Sequence, residues 1–471
     1  MIAPNQKEDP AWEQSEDAIL DLFRFTVVRR FFSSRAYPLA FQIGASLVFA
    51  AIIAYGFLGP PHGEDNFAVV VTWMLWWLLL PFSFVFLARL WCGVCPLGAT
   101  SDMMQKVFAY KRRAPAALFR KAGTWIAGLS FLGLAWAGML WQFDDKPRAT
   151  AIILLSLLFA TILISLIYER RTWCRYLCPL GLMAALYSMV SFVGLRSNRK
   201  LCRNACKSTR CYEVRGQIEG CPMFEVPGVM DSNRDCNLCG KCIKHCPQQS
   251  MRLLLRRPVA ELWQRWQPTK GEAFFVMVLM ALVFFEVVRM TPLYPDYMKQ
   301  LMEANIMANY NLVLSLSLLT LVGITTVSYG LSSRLSSLAM GRAKGKTLMR
   351  YAYAYIPIVL AGYLGAAIQH LAVYGVRATK VAINQLAVSS TVFDLPAVAR
   401  EATYAMDPLL KTIQLLILAL GTLGALYACL KIAKQSSNPR ALATAFPHLI
   451  LIGVFSLSLF FLFLLPMGLL H

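Results

Sequence analysis

Nine stretches of about twenty mostly apolar residues run through this chain, near 38–59, 68–90, 122–142, 150–168, 272–291, 307–330, 351–375, 410–432 and 445–470. Each is long enough to cross ~30 Å of hydrocarbon as an α-helix rising 1.5 Å per residue. Hydrocarbon offers the backbone no hydrogen-bond partner, so a continuous apolar stretch of this length satisfies its own amides as helix. The composition agrees: 57% of residues are hydrophobic and 15% charged, which excludes an ordinary soluble enzyme.

The net charge of +21 would suggest nucleic acid in a soluble protein. Here its distribution is topological. With the N-terminus inside, Arg24, Arg29, Arg30 and Arg35, loops 89–121 and 333–350, and segment 431–442 hold 19 Lys and Arg, while the outer connections hold 8. The positive-inside rule therefore gives an all-α polytopic protein with nine spans, N-in and C-out, in a bacterial inner membrane. Residues 1–36 are expected as a cytoplasmic tail, 37–181 as two helical hairpins, 182–270 as a cytoplasmic insert and 271–471 as a five-helix domain. Residues 180–195 are apolar but short for a span and are expected as an interfacial helix opening the insert. The basic insert residues Arg196, Arg199, Lys200, Arg203, Lys207 and Arg210 suit anionic lipid or an acidic redox partner better than nucleic acid.

Twelve of the 13 cysteines lie between Cys92 and Cys246. Cys236-x2-Cys239-x2-Cys242-x3-Cys246-Pro247 is the bacterial ferredoxin run, in which three closely spaced thiolates hold one [4Fe-4S] cluster and the fourth serves another. Cys202, Cys206, Cys211 and Cys221-Pro222 repeat it with looser spacing. By the crossover rule, cluster one takes Cys202, Cys206, Cys211 and Cys246, and cluster two takes Cys236, Cys239, Cys242 and Cys221. Disulfides are the poorer alternative in a reducing cytoplasm.

The first two hairpins repeat one motif. Trp91-Cys92-Gly93-Val94-Cys95-Pro96-Leu97-Gly98 follows the second span, and Trp173-Cys174-Arg175-Tyr176-Leu177-Cys178-Pro179-Leu180-Gly181 follows the fourth. A parallel duplication would put both motifs at the cytoplasmic membrane face. Cys92, Cys95, Cys174 and Cys178 could then hold a third iron centre or another soft metal, or act as a dithiol relay. The structural alternative is a pair of helix ends set by Pro96 and Pro179. Thiolates at a low-dielectric boundary need a nearby cation, for which Arg89 and Arg175 are near in sequence. Cys429, alone inside a span, reads as a packing residue.

These motifs resemble the membrane-bound polyferredoxins of the NapH and NosR type, with the oxidase-associated CcoG proteins as cousins, over residues 38–250. In that family, hairpins ending in Cys-x3-Cys-Pro precede a cytoplasmic ferredoxin-like segment, and members move electrons to periplasmic reductases or serve their maturation. Cys174-x3-Cys178 has that spacing, and Cys92-x2-Cys95 is one residue shorter. The resemblance implies iron-sulfur electron transfer with a respiratory partner and says nothing of the last five spans.

Those spans carry their own candidates. Glu286 and His370 are ionisable residues within apolar helices, and such residues mark function by default, here a quinol site toward the outer face. Glu286 could instead simply pair with Arg289 one turn away. A haem bridging His370 and His448 is not expected, because their spans place them near opposite faces. His62 and His471 lie in outer segments, and His245 precedes a cluster ligand. Three functions follow: an electron conduit between quinol or a partner subunit and a respiratory enzyme, a copper or metal reductase for enzyme maturation, and a redox-sensing anchor.

Overall fold

The computed structural model describes residues 18–108, 112–213, 220–264, 268–303, 309–340, 347–386, 395–435 and 441–467. Among them nine helices are long and apolar enough to cross a membrane: Leu39–Leu58, Phe67–Leu87, Ala117–Trp141, Pro147–Ile167, Lys270–Arg289, Tyr310–Ala339, Ala352–Ala372, Pro408–Lys434 and Leu442–Leu464. They match the nine expected apolar stretches. Part of the expected tail, parts of the basic loops 333–350 and 431–442, and His471 lie outside the described residues.

The turns alternate between two faces. All three quartets of cysteines lie on segments at one end of the bundle, the cysteine-bearing face. At that end Gln435, after the eighth span, donates to the Trp263 carbonyl of the insert. The opposite face joins the turns of the first and second hairpins, where Gly63 packs against the backbone of Asp145.

Two expectations are corrected. The chain is not wholly helical, nor is its N-terminal segment a free tail through residue 36. Strand β1, Ala18–Asp21, pairs antiparallel with β3, Met251–Arg256, which pairs antiparallel with β2, Val193–Ser197. Arg252 Nε lies 3.2 Å from Asp21 Oδ2, an ion pair that holds β1 in register. The apolar faces of this sheet bury Phe23, Phe32, Tyr37, Leu195, Met251 and Leu253 against the ferredoxin loop at Leu238. The N-terminal segment and insert thus form one unit, because Phe23, Phe32 and Tyr37 are covered by Leu195, Leu238, Met251 and Leu253 of the insert.

Nor is 180–195 an interfacial helix. Residues Pro179–Tyr187 are helical, residues 181–190 are all buried, and the chain then enters β2. A helix that is apolar on every side belongs inside the protein, and this one wedges against the second, third and seventh spans.

The fifth span is the axle of the bundle. Thr269 and Glu272 cap its N-terminus reciprocally, and Phe275, Val276, Met277, Val278 and Met280 are all fully buried. It packs on the third, sixth, seventh and ninth spans and so joins the duplicated hairpins to the five-helix half.

Small residues let the hairpins close on each other. A Cβ on Gly56 of the first span would lie 2.6 Å from the Ala151 Cβ and 2.9 Å from the Pro147 carbonyl of the fourth. Gly56→Val is expected to lower the thermal midpoint of the detergent-solubilised protein. Gly133→Val, at a position with nothing within 4 Å, is its control and should change the midpoint little. Equal midpoints for the two variants would contradict this packing.

Candidate iron-sulfur site

Each hairpin motif begins a helix at its second cysteine. Cys95 is the N-cap of Pro96–Val107 and Cys178 the N-cap of Pro179–Tyr187, each with proline at the first helical position. The Gly181 amide donates to Cys178 Sγ at 3.3 Å, and the Gly98 and Leu97 amides favour ionised Cys95. Helix N-termini stabilise thiolates in this way. The repeated Pro-Leu-Gly is needed at its glycine. A Cβ on Gly98 would lie 2.7 Å from Arg171, and one on Gly181 would lie 2.6 Å from the Cys174 carbonyl.

The duplication brings the four thiols together. Charge on Cys178, Cys95 and Cys92 opposes ionisation of Cys174, and charge on Cys95 and Cys92 opposes that of Cys178. Burial is the larger cause: it lifts the Cys174 thiol well above its ordinary value and pushes Cys178 up to about 12. Four thiolates here therefore require a cationic occupant.

The cation built into the site is Arg171, which sequence proximity alone did not single out. Fully buried, it makes a bidentate pair with Asp102 at 3.1 and 2.7 Å and donates to the Cys92 carbonyl at 2.7 Å. Its charge favours ionised Cys95 and Cys174. Lys241, between Cys239 and Cys242, lies 3.5 Å from the same Asp102. Arg171 and Lys241 hold the Asp102 carboxyl below the usual carboxylate range despite burial. Of the two arginines expected to serve, Arg89 faces Cys178, whereas Arg175 turns to Asp235 at 3.4 Å and Glu225 at 3.5 Å. An arginine and an aspartate flanking the motifs were the available signal.

The second quartet lines one cavity. Cys221, Cys236, Cys239 and Cys242 surround it with Glu225, Met230 and Asn237. Burial pushes the Cys221 and Cys236 thiols up to about 12 and Cys242 well above its ordinary value, with mutual repulsion adding to each. Burial and Asp235 push Glu225 up to about 7 against the pull of Arg175.

In the third quartet, charge on Cys246, Cys202 and Cys206 raises Cys211 after burial does. Ser250 joins its two ends: its hydroxyl lies 3.3 Å from Cys202 Sγ and 3.5 Å from Cys246 Sγ, and its amide donates to Cys246 at 3.3 Å.

The three quartets stand in series. A Cβ on Gly93, between Cys92 and Cys95, would lie 3.7 Å from the Cys239 Cα and 2.6 Å from the Asn237 carbonyl. Tyr37 closes the same seam, donating to the Leu238 carbonyl at 2.7 Å. On the far side, Cys211 opposes ionisation of Cys242. Among the described residues no group of three or more His, Cys, Asp or Glu side chains is gathered as a single-ion site.

The structure also joins Glu286 and His370. His370 Nε2 stands 3.5 Å from Glu286 Oε1, while Arg289 lies 3.7 Å from Oε2. The expected pairing of Glu286 with Arg289 is thus present, with His370 at the other carboxylate oxygen. Asp144, on the adjoining turn, feels both Arg289 and Glu286, and burial raises its carboxyl. His448 lies elsewhere, fully buried with Nδ1 2.9 Å from the Tyr355 hydroxyl and its ring stacked on Tyr351. Cys429, in the eighth span, is buried against the ninth, as a packing residue would be.

Comparison with known proteins agrees with this chemistry. A family model described as a 4Fe-4S binding domain matches residues 69–115 and 150–200, the two segments that contain the hairpin motifs. YccM of Escherichia coli (strain K12), a protein named for electron transport, is 30% identical over 123 residues, 26% of this chain and 31% of that protein. The ferredoxin-type protein NapH of Haemophilus influenzae (strain ATCC 51907 / DSM 11121 / KW20 / Rd) is 24% identical over 196 residues, 38% of this chain and 67% of that protein. The chain thus spans less than a third of YccM and about two thirds of NapH. No solved structure matches it. The resemblance to membrane polyferredoxins is borne out, and the chain is similar to iron-sulfur electron-transport proteins.

Raised thiols predict slow alkylation. In iron-depleted folded protein, Cys178, Cys221 and Cys236, at about 12, are mostly protonated at pH 8. Their reaction with iodoacetamide should be at least about tenfold slower than after unfolding in guanidinium. Equal rates would contradict the burial described.

Proposed function

We propose that the chain is an electron conduit with three [4Fe-4S] clusters in series. Cys92, Cys95, Cys174 and Cys178 hold one at the membrane face. Cys236, Cys239, Cys242 and Cys221 hold the next, and Cys202, Cys206, Cys211 and Cys246 the outermost. The junction of Gly93 with Cys239 carries this assignment, because it sets the membrane-face quartet directly against the ferredoxin quartet. When bound, such clusters supply reversible one-electron acceptance, with potentials set by hydrogen bonds and exposure.

The chain's own residues hold and insulate. Twelve thiolates ligate, the Cys178 and Cys246 sulfurs accept backbone amides, and buried Arg171 offsets negative charge where water is excluded. Asp102 and Lys241 keep Arg171 in place between the first two quartets. The surplus of Lys and Arg on the loops of the cysteine-bearing face favours the cytoplasm for that face.

For the electron source we propose a quinol in the five-helix half. Oxidation of a quinol to a quinone releases two electrons and two protons. The Glu286 and His370 side chains, 3.5 Å apart, are the proton acceptors in this reading. Glu286 lies 16 residues from the start of its span, about 24 Å along the axis from the cysteine-bearing face. A continuous aromatic run occupies the interval. Tyr363 faces Glu286 and packs on Trp77 at 6.0 Å, Trp77 on Trp76 at 6.3 Å, and Trp76 on Trp91, beside Cys92, at 5.5 Å. This packed aromatic path supports a quinol that communicates with the membrane-face thiolates.

Anaerobically purified protein should carry about twelve iron and twelve sulfide per chain, falling by about four of each in Cys174→Ser. Eight or fewer in the unaltered protein would contradict a third cluster. Reduced menaquinol or ubiquinol analogue should bleach the visible iron-sulfur absorption of the reconstituted protein. Glu286→Gln or His370→Ala should slow that bleaching at least about tenfold while dithionite still reduces the clusters. Bleaching that is indifferent to both substitutions would remove the quinol site.

A further inference from the structure

The quartet of Cys202, Cys206, Cys211 and Cys246 is last in the series and farthest from the membrane-face motif. Its surroundings differ from those of the inner two. Near the inner quartets the cations are matched, Arg171 buried and the other two half-buried: Arg171 with Asp102, Arg175 with Asp235 and Glu225, Arg234 with Asp235 and Glu272. Residues 200–210 instead hold Lys200, Arg203, Lys207 and Arg210 with no acidic residue among them. All four are exposed, and the ligands Cys202, Cys206 and Cys211 lie half-buried between them.

Two further arginines border this stretch. Arg199 lies 3.8 Å from Asp231, and Arg29 donates to Gln249, three residues beyond Cys246. Among the described residues the nearby acids are Asp231, which Arg199 faces, and half-buried Glu213. Four exposed cations thus border the half-buried cysteines of this quartet.

We infer that this rim is the docking surface for a small acidic protein carrying a one-electron redox centre, recognised by charge complementarity. This rests on the conduit proposed above. Opposite charge steers diffusional encounter and orients the carrier, which is what brief, repeated electron exchange requires. Anionic lipid fits the position less well. The rim adjoins the outer quartet, which meets the cavity quartet through Cys211 and Cys242 and so lies one step further from the membrane-face motif in the series.

The test uses the full-length, iron-loaded protein in detergent. Its probe is oxidised plant-type [2Fe-2S] ferredoxin, an acidic carrier, with a basic c-type cytochrome as counter-probe. Equilibrium binding of ferredoxin should weaken at least about tenfold between ~0.01 M and ~0.3 M salt. It should weaken as much at low salt in the variant combining K200E, R203E, K207E and R210E, with iron content and reduction by dithionite unchanged. Should that variant lose iron, the corresponding four-glutamine variant replaces it, with weakening of at least about threefold expected. Unaltered ferredoxin binding in the variant, or tighter binding of the cytochrome by the unaltered protein, would overturn the docking surface. So would a variant that keeps ferredoxin binding and loses only attachment to phosphatidylserine vesicles, which would make the rim a lipid contact. A native preparation without iron would overturn the conduit itself, and the docking surface with it.

Discussion

Collecting thiolates at the edge of a hydrocarbon layer is the constraint on which this structure turns. Each sulfur gives up hydration there, and each raises the cost of ionising its neighbours. The chain answers with a fully buried arginine whose guanidinium is fixed by Asp102 and touches the Cys92 carbonyl. Around that contact the duplicated hairpins, the start of the Pro96 helix and the ferredoxin loop at Lys241 all meet. Loss of the Asp102 charge would leave Arg171 buried without its bidentate partner, a defect that costs about 3–5 kcal/mol in comparable buried pairs.

The duplication explains why the site can exist at all. Each copy ends its second helix, turns at Cys-Pro and begins another helix, so each contributes two sulfurs from the same membrane level. One copy alone would leave two thiols in an apolar boundary without purpose. The fifth span then anchors this half to the other through a nearly continuous buried surface. That anchoring also brings Trp76, Trp77 and Tyr363 together between the Cys92 motif and Glu286.

Much of this was legible in the residues. Span positions follow from apolar length, and the three cysteine quartets follow from spacing, because ligand geometry leaves few ways to arrange closely spaced thiolates. Cys221, Cys236, Cys239 and Cys242 line one cavity, and Cys211 neighbours Cys246, Cys202 and Cys206. What escaped were tertiary solutions. Ala18–Asp21 is too short and mixed to announce a strand, and it becomes one because β3 presents a free edge. Residues 180–195 look interfacial by length, yet burial on every side makes the helix interior. Arg175 is next to Cys174 in sequence, but a helical turn carries it toward Asp235, while Arg171 turns toward the sulfurs. The meeting of Glu286 with His370 could not be read from two separate helices, since it depends on how the fifth and seventh spans are rotated.

The series arrangement is tested most directly by low-temperature electron paramagnetic resonance of the protein during stepwise anaerobic reduction. Three adjoining centres predict three spin systems, each broadened by its neighbour as reduction proceeds, with the cavity quartet's signal affected by both others. Narrow signals that develop independently, or a spectrum accounted for by one or two isolated centres, would contradict a continuous conduit.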